Sequence, residues 1–150
     1  MWSADAIIGR TVYLDANVFI YAFESTLALS DSLLPLKAVF QHFQQNRAWA
    51  RTSSITRAEV LVHPLRQNNL DLANLYRSLL SGVGLIGMDA VSLSVIDSAA
   101  SLRAQYGLRL ADALHIASAI ESGCDAVLTA DKRMAACRPS IDFLLLDELL

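Results

Sequence analysis

The sequence predicts an α/β fold in which a central parallel sheet of about five strands is flanked by helices. Two observations support this prediction. Short β-rich runs alternate with longer helical runs, and 54% of the 150 residues are hydrophobic while only 18% are charged. Such alternation is typical of parallel sheets with helical crossovers, and the apolar excess suits a sheet buried on both faces. The length suits one domain, so we expect residues 1–150 to form a single unit.

The predicted elements follow one another without a linker, a repeat or a low-complexity tract. The strands are short apolar runs at Thr11–Leu14, Ala48–Thr52, Leu85–Met88, Ala126–Thr129 and Ile141–Leu146. The helices are longer runs at Asn17–Phe23, Asp31–Gln45, Thr56–Arg66, Leu70–Leu80, Val91–Tyr106 and Leu110–Glu121. Gly107 and Gly123 follow the last two helices, where glycine commonly ends a helix.

Composition narrows the class of protein further. The formal net charge of −3 gives no general attraction to nucleic acid, so any phosphate contact must be local or carried by a bound cation. Cys124 and Cys137 lack the spacing of metal ligands and are interpreted as small apolar side chains. The N-terminus does not resemble a signal peptide, and no apolar stretch reaches the about 18 residues of a membrane span. We therefore expect a cytoplasmic protein with no membrane attachment.

Two acidic residues lie directly beyond predicted strands. Asp15 follows Thr11–Leu14, and Asp131 lies just after Ala126–Thr129. Open parallel sheets bind ligands outside the carboxyl ends of their strands, so the two carboxylates are expected to converge there. Each one taken alone is better explained by a turn or helix-capping role, which is common for Asp after a strand.

Two further acids lie on predicted helices. Asp112 stands in the first turn of its helix among apolar neighbours, where it either interacts with the helix dipole or is held inward and needs a cation. Glu59 is three residues after Thr56, a spacing that fits a capping box. Asp97 falls opposite the apolar stripe of its helix and is expected to face water.

A cluster of carboxylates suits a hard divalent cation, Mg²⁺ or Mn²⁺, which removes the repulsion between them and can activate water for phosphodiester cleavage. Two other classes also place an acid after a first strand. A haloacid-dehalogenase phosphatase needs a second Asp two residues later, where this chain has Asn17. A response-regulator receiver would use Asp89 and Lys132, but the acidic pair after the first strand is missing.

Four segments together resemble the PIN-domain nucleases, particularly the toxin of VapBC-type toxin–antitoxin pairs. They agree with that family in order, spacing and flanking pattern over nearly the whole chain: Tyr13–Tyr21, Ser54–Leu61, Asp112–Ala117 and Leu128–Arg133. The resemblance implies a single PIN-like domain that acts as a metal-dependent endoribonuclease by in-line attack of a metal-activated water. It also implies a cognate antitoxin and a homodimer. The alternative is a catalytically weak or inactive PIN-like module that binds RNA or protein.

The same resemblance assigns roles to individual residues. Asp15, Glu59 and Asp112 are implied metal ligands, and Asp131 completes the site directly or through water. Asn17 and Thr129 match positions that orient these ligands, although a helix-start Asn and a β-branched strand-end residue explain them equally well.

Five other residues lie near the implied site in the sequence. The family often has Asn where this chain has Ala130, which predicts weaker metal binding or a less firmly held Asp131. His115, one turn beyond Asp112, is interpreted as a packed or capped helix histidine. The cationic side chains Arg57, Lys132 and Arg133 are candidates for RNA phosphate contacts, although solvated surface positions are the default for each.

Overall fold

The computed structural model describes residues 1–24, 33–138 and 140–150. Its strands are β1 (Thr11–Leu14), β2 (Trp49–Ser53), β3 (Ile86–Asp89), β4 (Ala126–Thr129) and β5 (Asp142–Leu145). They form one sheet in the order β3-β2-β1-β4-β5, and every neighbouring pair is parallel. The predicted α/β fold with a parallel sheet of about five strands is therefore confirmed.

Helices connect the strands. They are α1 (Ala16–Glu24), α2 (Leu34–Gln44), α3 (Ser54–Arg66), α4 (Leu70–Leu79), α5 (Leu93–Tyr106) and α6 (Leu110–Glu121). The predicted start of the second helix at Asp31 lies outside the described residues. Short 3-10 helices, which the sequence did not predict, occur at Ala4–Ile7, Met134–Cys137 and Leu146–Glu148.

The sheet is buried on both faces, as the high apolar fraction predicts. Alternate strand residues such as Val12, Leu14 and Leu128 pack in a core that also contains apolar side chains of α1, α2, α3 and α4. The intervening residues, such as Tyr13 and Val127, pack in a second core with α5 and α6. This alternation follows from the two-residue period of a strand. It also places the Tyr13 side chain on the α6 side of the sheet.

Helices α5 and α6 form an antiparallel hairpin that carries part of the candidate site. Gly107 ends α5 in the left-handed conformation, with φ 66° and ψ 28°, as its position in the sequence predicts. The chain then turns within Leu108 and Arg109, and α6 begins at Leu110. Among the described residues, no helix is both long enough and apolar enough to span a membrane.

Candidate active site

Asp15 is the central acid of the site. It follows β1 directly, is only 5% exposed, and its backbone N–H donates to the Leu128 carbonyl at 3.1 Å. Its carboxylate accepts from the Ala16 N–H at 2.7 Å on Oδ1, and from the Thr129 hydroxyl at 2.6 Å on Oδ2. The Asn17 amide also donates to Oδ2, at 3.0 Å. Asp15 thus occupies the carboxyl end of the central strand, where the sequence predicts it.

Thr129 and Asn17 tie this acid to the end of the neighbouring strand β4. The Thr129 hydroxyl accepts the Asp131 N–H at 3.0 Å, and the Asn17 carbonyl oxygen accepts the Ala130 N–H at 3.0 Å. Both residues therefore contact the Asp15 carboxylate and the backbone that presents Asp131. Asp131 is anchored without the asparagine that the family often has at position 130.

The His115 ring lies between the Glu59 and Asp15 carboxylates. Its ring is 1% exposed, Nε2 is hydrogen-bonded to Glu59 Oε1, and Nε2 lies 3.4 Å from Asp15 Oδ1. Its Nδ1 lies 2.7 Å from the Tyr13 hydroxyl, which donates to Ser53 Oγ at 3.0 Å. Because Nε2 faces the Glu59 and Asp15 carboxylates, it is the ring nitrogen that donates. The interpretation of His115 as an ordinary packed helix residue missed these contacts.

The capping-box interpretation of Glu59 is wrong. Helix α3 begins at Ser54, immediately after β2, so Thr56 lies inside the first turn and not at its start. The Thr56 hydroxyl is instead bonded to that of Thr52, at 2.7 Å. Glu59 consequently lies in the second turn of the helix, where its side chain meets His115.

Arg109 joins the other two acids. Its Nε donates to Asp112 Oδ2 at 3.0 Å, and its Nη2 donates to Asp131 Oδ2 at 3.3 Å. Arg133 also binds Asp131, through its backbone N–H at 2.9 Å and its guanidinium at 3.1 and 3.2 Å. Arg109 was not among the sequence candidates, although it lies only three residues before Asp112, directly before the first residue of α6.

The electrostatics of the site differ from one acid to the next. Burial raises the pKa of Asp15 above its ordinary value, although the His115 charge and the Thr129 hydrogen bond oppose this. The Arg133 hydrogen bond lowers the pKa of Asp131 despite partial desolvation. Burial opposes protonation of His115, but the Glu59 hydrogen bond and the charges of neighbouring carboxylates outweigh it and raise the pKa of His115.

Comparison with known proteins identifies the fold family. A sequence profile of the PIN domain matches residues 12–138, which is most of the chain. The chain belongs to the PIN-domain family. A search among curated proteins found no match.

Solved structures share this PIN-domain fold at low sequence identity. A toxin–antitoxin complex from Klebsiella pneumoniae has 21% identity and a TM-score of 0.65, with 90% of this chain and 97% of that chain covered. VapBC2 from Rickettsia felis, bound to a promoter DNA fragment, has 16% identity and a TM-score of 0.66 over 90% and 98% of the two chains. FitAcB from Neisseria gonorrhoeae has 20% identity and a TM-score of 0.62 over 92% and 99%.

The four acids of this PIN domain are linked in two pairs, each around a cation of the protein itself. His115 lies between Asp15 and Glu59, and Arg109 lies between Asp112 and Asp131. In the described ranges, no three Asp, Glu, His or Cys side chains already stand together as a metal site. The donor set nevertheless fits a hard divalent cation, because it consists of carboxylate oxygens and includes one desolvated carboxylate, Asp15.

The remaining candidate cations have structural partners. Arg57 donates to the Leu80 carbonyl at 3.0 Å, and Lys132 pairs with Asp147 at 2.5 Å. Arg133 pairs with Asp131 and is otherwise exposed. Among the acids outside the site, Asp97 is exposed, as its position opposite the apolar stripe predicts.

Proposed function

We propose that this PIN domain is a metal-dependent endoribonuclease that hydrolyses RNA phosphodiester bonds, and that it is the toxin of a toxin–antitoxin pair. One observation carries the proposal. Four carboxylates that are far apart in the sequence are paired by His115 and by Arg109, and one acid of each pair, Asp15 and Asp131, lies beyond the carboxyl end of β1 or β4, where both contact the Thr129 hydroxyl. Clusters of this kind in a PIN domain are suited to bind a cation next to a phosphate.

The residues have distinct roles in this proposal. Asp15, Glu59 and Asp112 hold Mg²⁺ or Mn²⁺, and Asp131 completes the site directly or through water. When bound, the metal supplies positive charge that activates water and neutralises the phosphate during in-line displacement. Thr129 and Asn17 fix the orientation of the Asp15 carboxylate through hydrogen bonds at 2.6 and 3.0 Å.

RNA is a feasible substrate for this acidic protein because the attraction between protein and phosphate is confined to the site. The chain has a formal net charge of −3, so the cation at the site has to offset the repulsion between protein and phosphate. The Arg133 guanidinium, which is exposed beside Asp131, is proposed to contact a neighbouring RNA phosphate. The sequence of the RNA at the cut is best found by sequencing the ends of cleaved RNA after expression.

A nuclease assay with two matched asparagine variants tests the enzyme proposal. Wild-type protein should cleave labelled RNA with Mg²⁺ or Mn²⁺ and lose this activity in EDTA. Asp15→Asn should reduce cleavage by at least about 100-fold, because it removes a charged ligand. Asp97→Asn removes the same charge from an exposed position on α5 and should cleave like the wild type. Cleavage that is indifferent to metal and to Asp15 contradicts the proposal and favours an inactive binding module.

The partner proposals rest on the fold relatives. Structures with this fold include a toxin–antitoxin complex and a VapBC pair, so we propose that a small antitoxin binds this chain and masks the site. Co-expression with the neighbouring gene should yield a complex in which RNA cleavage is suppressed. The toxin itself is proposed to be a cytoplasmic homodimer. A monomeric mass in light scattering at micromolar concentration would contradict the dimer.

A further inference from the structure

We propose that Arg109 is a displaceable internal counter-ion that occupies the place of a cation between Asp112 and Asp131, so that metal binding must expel it. The inference rests on the proposed function and adds a competitor for the metal within the chain itself. Arg109 would therefore set the metal concentration at which the site loads.

The geometry of the guanidinium supports this role. One side chain bridges two carboxylates from separate elements, with Nε 3.0 Å from Asp112 Oδ2 and Nη2 3.3 Å from Asp131 Oδ2. Both carboxylates are mostly buried, with side chains 13% and 17% exposed. Among the described residues, Arg109 is the one hydrogen-bond partner of the Asp112 carboxylate. A shared cation between two desolvated acids offsets their repulsion, which is also the electrostatic role of a bound metal.

Arg109 can leave without disturbing the fold. Its side chain is 63% exposed, so the guanidinium can move into solvent when another cation binds the Asp112 and Asp131 carboxylates. Its backbone carbonyl accepts the Ala113 N–H at 3.0 Å at the start of α6, whereas its side chain makes no capping hydrogen bond. His115, the other cation of the site, is 1% exposed and has no such route to solvent.

A variant without the Arg109 side chain shows whether Arg109 competes with the metal or helps to hold the carboxylates that bind it. If Arg109 competes with the metal, its loss strengthens metal binding. If Arg109 instead holds the two carboxylates in the orientation that a metal needs, its loss weakens binding. The sign of the change in the metal dissociation constant decides between these two roles.

The test is a titration of the full chain with Mn²⁺, in which free Mn²⁺ is measured by electron paramagnetic resonance at about pH 7.5, where unperturbed carboxylates are ionised. Arg109→Gln should bind Mn²⁺ with a Kd about 3- to 10-fold lower than the wild type, because partly exposed ion pairs contribute modestly. Arg103→Gln is the matched control. It removes the same charge from the end of α5, where Arg103 Nε donates to the Leu108 carbonyl at 3.2 Å. Its Kd should stay within about two-fold of the wild type.

A third variant tests the bridging geometry. Arg109→Lys keeps the charge but lacks the planar fork that spans both carboxylates, so its Kd should fall between those of the wild type and Arg109→Gln. Melting temperatures in EDTA establish that each variant is folded. An Arg109→Gln protein that is folded and binds Mn²⁺ no more tightly than the wild type overturns the inference but leaves the nuclease proposal intact. If neither protein binds Mn²⁺, both proposals are overturned.

Discussion

Replacing Thr129 with valine should separate the activity of the site from the stability of the fold. Valine keeps the branched shape of threonine but has no hydroxyl. That hydroxyl donates to Asp15 Oδ2 at 2.6 Å and accepts the Asp131 N–H at 3.0 Å. A hydrogen bond to an ionised group contributes about 1.5–3 kcal/mol. If this contribution is lost in the transition state, kcat/KM for RNA cleavage falls by roughly 10- to 160-fold.

The cost to folding should be smaller than the cost to activity. In the Thr129→Val protein, Asp15 retains the Ala16 N–H at 2.7 Å and the Asn17 amide at 3.0 Å. The Asp131 N–H is left without a partner, and Asn17 Nδ2 loses its 3.3 Å contact with the hydroxyl but keeps Asp15. We therefore expect the free energy of unfolding to fall by no more than about 2 kcal/mol. For a chain of this length the melting temperature would drop by at most about 8 °C.

Thr129→Ser is the matched control, because it should affect stability and not activity. It keeps the hydroxyl but removes a fully buried methyl group, so it should lose about 1 kcal/mol of stability. Its cleavage rate should remain within about three-fold of the wild type. The assay is single-turnover cleavage of labelled RNA with Mn²⁺, beside thermal melts in EDTA. A folded Thr129→Val protein that cleaves at the wild-type rate refutes the role assigned to the hydroxyl.

Three further predictions concern the residues around the site and the core. Tyr13→Phe leaves Ser53 Oγ and His115 Nδ1 without their hydrogen-bond partner and should lower the free energy of unfolding by about 1–3 kcal/mol in urea titrations. Leu128→Ala, at a fully buried position of β4, should lower it by about 2–5 kcal/mol, whereas Leu93→Ala, which is 80% exposed, should change it by less than about 0.5 kcal/mol. The pKa of His115 is raised above 6.5, so the stability gained from its protonation is complete below that pH and is lost as the pH rises through the raised pKa. The advantage of the wild type over His115→Gln in EDTA should therefore be greatest in acid, and an advantage that grows towards alkaline pH would contradict this.

The sheet and its central acid could be predicted because their signals are local. The bounds of β1, β4 and α6 agree with compact apolar runs followed by a polar residue or a turn. Asp15 is placed by the rule that parallel strands present their carboxyl ends at one edge of the sheet. The end of α5 was predictable from Gly107, since a positive φ favours glycine there.

The partners of the acids could not be predicted in the same way. Glu59 meets His115 across 56 residues, and Arg109 meets Asp131 across 22, so both contacts depend on how α6 packs against the sheet and α3. The sequence also did not indicate that α3 begins directly after β2, and for this reason the capping box assigned to Thr56 and Glu59 was wrong. Part of the signal was available, since Asp112 and His115 are three residues apart on α6 and therefore neighbours on its surface.

The two cations explain how an acidic cluster is compatible with a folded protein. Unpaired carboxylates at one edge would repel one another and destabilise the sheet. Here each of the four acids contacts His115 or Arg109, which offsets part of this repulsion. The compensation is uneven, because an arginine lowers the pKa of Asp131 while burial leaves the pKa of Asp15 raised. Among the described residues, His115 contacts the Asp15 carboxylate and no arginine does. A divalent ion would therefore lower the electrostatic cost more at Asp15 than at Asp131.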